Sequence, residues 1–344
     1  MSCLVSVIMP VYNSFSYLKD AVDTVLAEKS EEFELILVDD GSTDGSSSLC
    51  DEIEQTDRRV RVFHKQNGGM CQARNIGIAN ARGKWVAFMD NDDMILPGFI
   101  DENLIIAQEY ECDCLVFGRK WVQIDAFGST QFSIEEAPEK KECLYGKAVL
   151  DSYFKCTSVS DGVWVRFYKR SMLTEHGIAF DESFRSGFED SLFNDLVIEH
   201  AQSYAFNPKC YYVWFRRESH STSMQTSENR LTSLSKTLEH EYRILKDRGM
   251  LEKEKNKCAS LFFSRILDIL VANHLTGDCS YAVQLPIYKA LFNIAKPYSD
   301  LLAKGSLRLD RNIAKRLFIS RRFKALYIYL KAGSRIKVML KNNS

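Results

Sequence analysis

The stretch Val86-Ala87-Phe88-Met89-Asp90-Asn91-Asp92-Asp93 decides the fold, because an apolar run ends abruptly in three carboxylates. The apolar half predicts a buried central strand, so that the carboxylates lie at its carboxyl end. Clustering and burying three acids is unfavourable unless a partner offsets their charge. Divalent cations such as Mg²⁺ or Mn²⁺ prefer carboxylate oxygens and share their coordination with substrate phosphates. The segment therefore predicts a cation site at a strand end.

Other short β-rich runs surround this strand, and segments with helical spacing separate them. The runs are Val5–Met9, Phe33–Val38, Val60–His64, Trp85–Met89 and Leu115–Phe117. Apolar stripes mark one helix from Tyr17 to Leu26 and another from Phe99 to Tyr110. This alternation predicts an α/β fold with a mainly parallel sheet and helices on both faces. Ligands of such sheets bind beyond the carboxyl ends of the strands, so the residues there are the functional candidates.

Two of these strand ends carry polar chemistry. The first strand runs into Pro10, which fixes the turn, and Tyr12, which offers an aromatic face. Taken alone, this segment is better explained by a turn with a packing tyrosine. The second strand ends in Asp39 and Asp40, where a carboxylate can accept hydrogen bonds from a base or a ribose. A helix cap is the alternative use of these residues.

Two further motifs precede helices. Gly68-Gly69 allows a close backbone approach, and Arg74 on the following helix adds a fixed positive charge, which together suit a diphosphate. Glu189 and Asp190 precede an apolar helical run. The pair is either a charge favoured by the helix dipole or a general base at the mouth of the site, with Asp190 free for that task.

The rest of the chain predicts a second region. Residues 127–142 read as a polar loop, and Tyr204–Phe215 as one or two strands. From Asn229 onwards the spacing is helical. We place the boundary in the polar stretch near 222–229, which gives a domain at 1–225 and a helical region at 226–344.

The charge is divided along the chain. The 344 residues have a formal net charge of −1, a value that gives no reason to expect a nucleic acid partner. From residue 303 to the end, however, there are twelve Lys and Arg and one Asp, so residues 303–344 form a basic tail on an acidic body. Its basic residues interleave with Leu317, Phe318 and Phe323, a mixture that suits an anionic membrane surface or a solvated helix packed on the acidic body.

The sequence shows no targeting signal. The start at Met1 has no basic region before its first strand, and no apolar run reaches the roughly 20 residues that span a bilayer. The 10 cysteines are expected to be reduced. We therefore expect a cytoplasmic protein, with peripheral contact at the inner face of the plasma membrane through the basic tail.

Taken together, the motifs resemble the inverting family 2 glycosyltransferases of the GT-A fold, over roughly the first 220 residues. The matching segments follow the family's order: Val5–Asn13, Val38–Asp44, Asn67–Gly77, Ala81–Trp85, Phe88–Asp93, Trp164, Tyr168–Arg170, Phe188–Asp190, and Tyr212 with Arg216 and Ser221. The Gln-x-x-Arg-Trp motif of the family's processive members is absent from the sequence, which favours transfer of a single sugar.

The resemblance implies a role for individual residues. Those implied to hold the nucleotide, with UDP favoured, are Pro10, Val11, Tyr12, Asp40, Arg74, Asp90 and Asn91. Asp90 and Asp92 would bind Mn²⁺ or Mg²⁺, with His220 either completing the metal shell or lying in an exposed loop. Asp190, beside Glu189, would be the base that deprotonates the acceptor hydroxyl. Arg216 and Trp164 would contact the diphosphate or the acceptor, which we expect to be a saccharide or a lipid-linked saccharide.

Two other function classes use a similar sheet. A nucleotidyltransferase would release pyrophosphate from a nucleoside triphosphate, but a glycine-rich basic loop does not follow the first strand. A catalytically inactive binding relative would carry a damaged carboxylate set, whereas Asp90, Asp92 and Asp190 are all present. Sugar transfer is therefore the leading hypothesis.

Overall fold

The structure is a computed structural model that describes residues 3–125, 129–185, 187–217, 228–275 and 280–341. It divides into two compact units, residues 1–185 with 189–221, and residues 186–188 with 222–344. The predicted domain boundary at 225 lies between residues 218 and 227, outside the described residues.

The first unit begins with alternating strands and helices. These elements are β1 Val5–Val11, α1 Phe15–Leu26, β2 Phe33–Asp39, α2 Ser46–Thr56, β3 Val60–His64, α3 Met70–Asn80 and β4 Trp85–Phe88. The strands are parallel in the order β3-β2-β1-β4, so the chain crosses back from the edge of the sheet to place β4 beside β1. This crossover puts the ends of β1 and β4 at a switch point of the sheet, where α/β folds bind ligands.

Helices cover both faces of this sheet, as the sequence predicts. Val7 and Met9 of β1 share a buried cluster with Leu18 of α1. Ile8 points to the opposite face, where a Cβ added to Gly77 of α3 would lie 2.3 Å from its Cγ2 atom. The absence of a side chain at position 77 is what lets α3 approach the sheet so closely.

The second half of the unit adds antiparallel strands. The elements are β5 Met94–Ile95, α4 Asp101–Glu109, β6 Cys114–Ile124, β7 Thr130–Glu136, β8 Glu142–Tyr145, α5 Lys147–Asp151, α6 Tyr153–Cys156, β9 Arg166–Lys169, α7 Arg170–Glu175, α8 Glu189–His200 and β10 Ser203–Arg217. The sheet continues from β4 as β9-β6-β10-β5, with β7 on β6 and β8 on β10. Only β6 and β10 pair in parallel here, while β9 runs antiparallel to both of its neighbours.

One sequence prediction is wrong in this half. Within 127–142, where a polar loop was expected, β7 pairs antiparallel with β6 over Thr130–Glu136. The strand is exposed nearly throughout, so it carries little of the apolar alternation that a sequence pattern detects. The single long strand β10 and the helix α8 agree with the predicted strand at Tyr204–Phe215 and the predicted helix after Asp190.

The second unit is helical, as predicted for the C-terminal region. Its helices are α9 Glu228–Asp247, α10 Met250–Lys253, α11 Lys255–Leu275, α12 Tyr281–Ala295, α13 Ser299–Lys304, α14 Leu309–Ile319 and α15 Phe323–Lys341. None of the described helices is long and apolar enough to cross a membrane. The cysteines of the described residues are free thiols, in line with the reduced state expected.

Several apolar residues of the basic tail belong to the core of this unit, whereas Leu309 and Ile328 are exposed. Phe318 is buried between Phe263 and Phe292, and Phe323 is buried against Tyr288. Phe318 and Phe323 are therefore not available to a membrane, because an amphipathic helix buries its apolar stripe wherever a neighbouring helix covers it. The surface of the tail carries charge, including Arg316 and Lys324.

Candidate active site

The carboxyl ends of β1, β2 and β4 meet at one edge of the sheet. Parallel register sets Val11 opposite Asp39 and Ile8 opposite Phe88. Pro10 and Val11 are buried within β1, whereas Tyr12, directly after the strand, is 51% exposed. The side-chain amide of Asn91 donates to the carbonyl of Pro10 at 2.9 Å, which ties the end of β4 to the end of β1.

Asp40 lies at the end of β2 and organises the glycine turn. Its two carboxylate oxygens accept hydrogen bonds from the backbone N–H groups of Gly68 and Gly69, both at 2.8 Å, and it pairs with Lys65. Gly69 adopts a positive φ of 92°, which a residue with a side chain rarely adopts. The predicted contact with a nucleotide base would use a carboxylate that already holds this turn.

Asp39 is the neighbouring acid and faces the opposite direction. It accepts from the backbone N–H of Ser42 at 3.0 Å and lies 3.0 Å from Nδ1 of His64. Burial acts to raise the pKa of Asp39, but the hydrogen bonds with Ser42 and His64 hold it below its usual value.

Arg74 of α3 joins the two acidic motifs. Its Nη1 lies 2.7 Å from Oδ1 of Asp190, and its Nη2 lies 3.0 Å from Oδ1 of Asp90. The side chain is 1% exposed and lies over the ring of Phe180, 5.1 Å from its centroid. The sequence predicts a nucleotide contact for this arginine, and the structure directs both ends of its guanidinium fork onto carboxylates.

Asp190 is the acid whose environment best suits a base. Burial raises its pKa to about 7, because the opposing effect of Arg74 is partly offset by the negative charges of Glu189 and Asp90. Its second oxygen is 3.4 Å from the backbone nitrogen of Val163. A carboxylate with a pKa near neutrality can accept a proton at physiological pH and release it again.

Asp92 is paired with an arginine that the site prediction did not include. Arg217 of β10 donates to Oδ2 of Asp92 at 2.9 Å and to its carbonyl at 2.7 Å. The predicted residue, Arg216, lies instead beside Trp121, 5.9 Å from the ring centroid. Neighbouring residues of a strand point to opposite faces, so Arg217 faces Asp92 while Arg216 faces Trp121.

Asp93, the third acid of the motif, is a structural residue. It is buried, accepts from the hydroxyl of Tyr212 at 2.7 Å and from the backbone N–H of Phe215 at 2.9 Å. The Tyr212 hydroxyl in turn accepts from the backbone N–H of Asp90 at 3.1 Å. Burial, and then Asp92 and Asp90, raise the pKa of Asp93 well above its usual value. The inference that all three acids serve a ligand is therefore wrong for Asp93.

Trp164 lies beneath these acids. Its ring stacks on Tyr212 with centroids 4.5 Å apart and belongs to the buried core cluster. The sequence assigned Trp164 to the diphosphate or the acceptor, but its observed contact supports Tyr212, because a buried ring presents little surface to a ligand. Tyr212 itself was missed as a positioning residue, since a tyrosine in an apolar strand gives no sign of its hydroxyl partners.

Asp90 and Asp92 form a donor set that fits a divalent cation. One oxygen of each carboxylate contacts an arginine, and the other has no protein partner among the residues that the structure describes. Burial, and next the charge of Asp90, raise the pKa of Asp92 although Arg217 opposes the shift. A hard cation would relieve this repulsion. His220, the third predicted ligand, lies outside the described residues, and no group of three or more ligating side chains occurs within them.

Part of the chain, which contains the strand ends of this site but not Asp190 or Arg217, matches a known family. The family model for glycosyl transferase family 2 matches residues 6–172, which include every strand end described above except that of β10. Glycosyltransferase GlyG of Streptococcus pneumoniae serotype 4 is 41% identical over 117 residues, covering 34% of this chain and 39% of GlyG. TuaG of Bacillus subtilis, named for teichuronic acid biosynthesis, is 33% identical over 157 residues, covering 45% of this chain and 61% of TuaG. The chain thus matches less than two thirds of the length of either relative.

The fold is shared with a solved structure over almost the whole chain. The crystal structure of S. aureus TarS 1-349 superposes with a TM-score of 0.68 at 18% identity, covering 97% of this chain and 92% of that one. The same TarS segment has been solved in complex with UDP-GlcNAc. The likeness confirms the predicted GT-A class followed by a helical C-terminal region.

Proposed function

Because residues 6–172 of this chain form a glycosyl transferase family 2 domain, we propose that the protein transfers one sugar from a nucleoside-diphosphate sugar to an acceptor hydroxyl, with inversion at the anomeric carbon. One observation carries the proposal: a single guanidinium, that of Arg74, contacts both Asp90 and Asp190. The group that would hold the donor and the group that would activate the acceptor are thereby fixed within reach of each other.

The donor would bind along the ends of β1 and β2. The exposed ring of Tyr12 can stack on a base, while Asp40 can accept from a base N–H in addition to the bonds that hold the glycine turn. We favour UDP as the nucleotide, and the UDP-GlcNAc complex of the structurally similar S. aureus TarS segment supports that choice.

The diphosphate would lie beside Asp90 and Asp92. These two carboxylates would hold Mn²⁺ or Mg²⁺, which when bound neutralises charge on the departing diphosphate. Arg217 donates to both the carboxylate and the backbone carbonyl of Asp92. Asp92 is therefore held in position before a cation or a donor binds. Asn91 fixes the turn between them through Pro10.

Asp190 would act as the general base. Its carboxylate takes the proton from the acceptor hydroxyl as the oxygen attacks the anomeric carbon from the face opposite the diphosphate. The C–O bond to the acceptor forms while the bond to the diphosphate breaks, so an α-linked donor gives a β-linked product. Arg74 keeps the carboxylate oriented, and the charge of Glu189 helps to keep its pKa high enough to accept a proton.

We further propose a saccharide acceptor in polysaccharide biosynthesis, carried on a lipid at the cytoplasmic face of the membrane. The name of TuaG, a relative over 45% of this chain, supports the polysaccharide class. The charged surface of the basic tail supports a peripheral contact with anionic lipid, to which Phe318 and Phe323 do not contribute because they are buried.

A donor panel tests the proposal. The purified chain is incubated with UDP-, GDP- and TDP-sugars, each with Mn²⁺, with Mg²⁺ and with a chelator, and release of the nucleoside diphosphate is measured. We expect slow hydrolysis of one UDP-sugar that the chelator abolishes, and a β-configured product by NMR once an acceptor hydroxyl is supplied. Turnover of no donor, or pyrophosphate release from a nucleoside triphosphate, would contradict the proposal.

A further inference from the structure

The helical unit contains a cavity whose lining is strongly basic. It has a volume of about 600 Å³, which is in the range of small-molecule binding sites. Its lining comes from the end of α13, the loop after it, α14 and the turn before α15: Ala303, Lys304, Gly305, Ser306, Asn312, Lys315, Arg316, Ile319, Ser320 and Arg322. Four of these ten residues are cations and none is an acid.

Helix geometry explains how the cations come together. Asn312, Lys315, Arg316 and Ile319 follow the spacing i, i+3, i+4 and i+7, so they share one face of α14. Lys304 ends α13, and Arg322 lies between α14 and α15. The chain therefore gathers four of the tail's cations around one cavity, with Lys315 buried and the other three exposed.

The four cations lack anionic partners within the described part of the chain. No ion pair joins Lys304, Lys315, Arg316 or Arg322 to a described carboxylate, although other lysines and arginines of the protein are paired in this way. Like charges around one cavity repel each other, which disfavours the arrangement unless a negative ligand is present.

Lys315 is the most informative of the four. It is buried, and its ammonium group donates to the carbonyl oxygen of Gly305. Burial, and then the charge of Arg316, lower the pKa of Lys315. A carbonyl oxygen satisfies hydrogen bonding but not charge, so this lysine is held beside the cavity at a cost that a bound anion would offset.

We propose that this cavity binds a phosphate-bearing ligand, with a diphosphate as the best match to its charge. Arginine forks and lysine ammonium groups are the side chains that bind phosphate oxygens most strongly. Two of each can neutralise more than one negative charge, and Ile319 supplies an apolar wall for a non-ionic part of the same molecule. The proposal does not depend on sugar transfer, because the cavity is formed within the helical unit.

Inorganic pyrophosphate is the first probe, titrated into the full chain by calorimetry. We expect one site, weakened about tenfold or more in the double variant Arg316→Gln with Arg322→Gln, because two charge-assisted contacts are lost. Both side chains are exposed, so the variant is expected to fold. The matched control is Arg308→Gln with Lys324→Gln, which removes the same charge from exposed positions that do not line the cavity. No binding, or equal weakening in both variants, would overturn the proposal.

A second variant separates binding from stability. Lys315→Met removes the buried charge, so we expect a higher Tm in the absence of ligand together with weaker pyrophosphate binding. Pyrophosphate binding that is unchanged in Lys315→Met and in the arginine variant would overturn the site.

Vesicles identify where the phosphate comes from. Phosphatidylcholine vesicles with and without phosphatidylglycerol are sedimented with the protein, and pyrophosphate is added as competitor. The site binds a lipid headgroup if the double variant Arg316→Gln with Arg322→Gln no longer sediments with the anionic vesicles, the control variant still does, and pyrophosphate displaces the unsubstituted protein from them. The site binds a soluble phosphate compound if both variants sediment equally with the vesicles while the double variant Arg316→Gln with Arg322→Gln loses pyrophosphate binding.

Discussion

The ends of β2 and β4 look alike in sequence, since each apolar strand runs into adjacent acids, yet the structure uses them differently. At the end of β2, N–H groups and basic side chains surround Asp39 and Asp40, and the pKa of Asp39 is lowered. At the end of β4, burial and neighbouring acids raise the pKa of Asp92 and Asp93. Asp39 and Asp40 hold loops, whereas Asp90 and Asp92 each keep one carboxylate oxygen without a partner among the described residues, and that oxygen can serve a ligand.

The difference lies in what each acid faces. Backbone N–H groups of a turn are fixed partners that stabilise the ionised form, so such acids are part of the scaffold. Acids that face one another can be relieved only by a proton, an arginine or a cation. Arg74 and Arg217 provide part of that relief at β4, and the remainder is available for binding and proton transfer.

The largest effect is expected at the proposed base. Asp190→Asn keeps the shape of the side chain but cannot accept the acceptor's proton, so we expect transfer to fall by about 10²–10⁴-fold. Nucleotide binding, measured by calorimetry, should persist. Asp23→Asn on the exposed side of α1 is the matched control and should retain full activity. Full activity of Asp190→Asn would remove this residue as base.

Shortening the fork at Arg74 should be the next largest effect. In Arg74→Lys a single ammonium group cannot replace both contacts, and a buried acid is left without its partner. We expect a loss of about 3 kcal/mol in the free energy of unfolding, measured with urea. Arg217→Lys is the comparison, and because its partner Asp92 is 42% exposed we expect a loss below about 1 kcal/mol. Equal losses of unfolding free energy in the two variants would mean that the two contacts of the Arg74 guanidinium stabilise the fold no more than the exposed pair of Arg217 does.

The pH dependence of transfer follows from the raised pKa of Asp190. Below a pKa of about 7 the carboxylate is protonated and cannot act as a base, so the rate should fall about tenfold per pH unit on the acid side and level off above. The stability effect has the opposite direction. A folded pKa above the unfolded one stabilises the protein at low pH, and this contribution is lost as the pH rises through about 7. A rate that is flat between pH 5 and 8 would contradict the assignment.

The smallest effect is expected at the end of β2. The hydrogen bond with Asp39, and then the contact with Asp51, raise the pKa of His64, so its contribution to stability is present below its unfolded pKa and is lost as the pH rises through the folded value. The His64 side chain is 40% exposed, which limits the contribution to about 0.5 kcal/mol. His64→Gln should remove this pH dependence of urea unfolding without changing the rate profile of transfer.

Sequence patterns predicted the strand positions well because buried parallel strands are rich in continuous apolar runs, as in Leu35–Val38. They missed β7 because it is almost entirely exposed and owes its structure to pairing with β6. The sequence predicts the acids of the site, but it does not predict which arginines pair with them. Whether Arg216 or Arg217 turns toward Asp92 depends on the register of β10, which only the assembled sheet defines.

The fork of Arg74 makes Asp90 and Asp190 one electrostatic unit. A cation bound at Asp90 changes the field at Asp190, because both carboxylates contact the same guanidinium. The effects of substituting the two acids on the free energy of activation for transfer should then be non-additive. The double variant should show a smaller effect than the sum of the two single variants. Binding of the donor at Asp90 and the proton affinity of Asp190 are therefore thermodynamically linked through the side chain of Arg74.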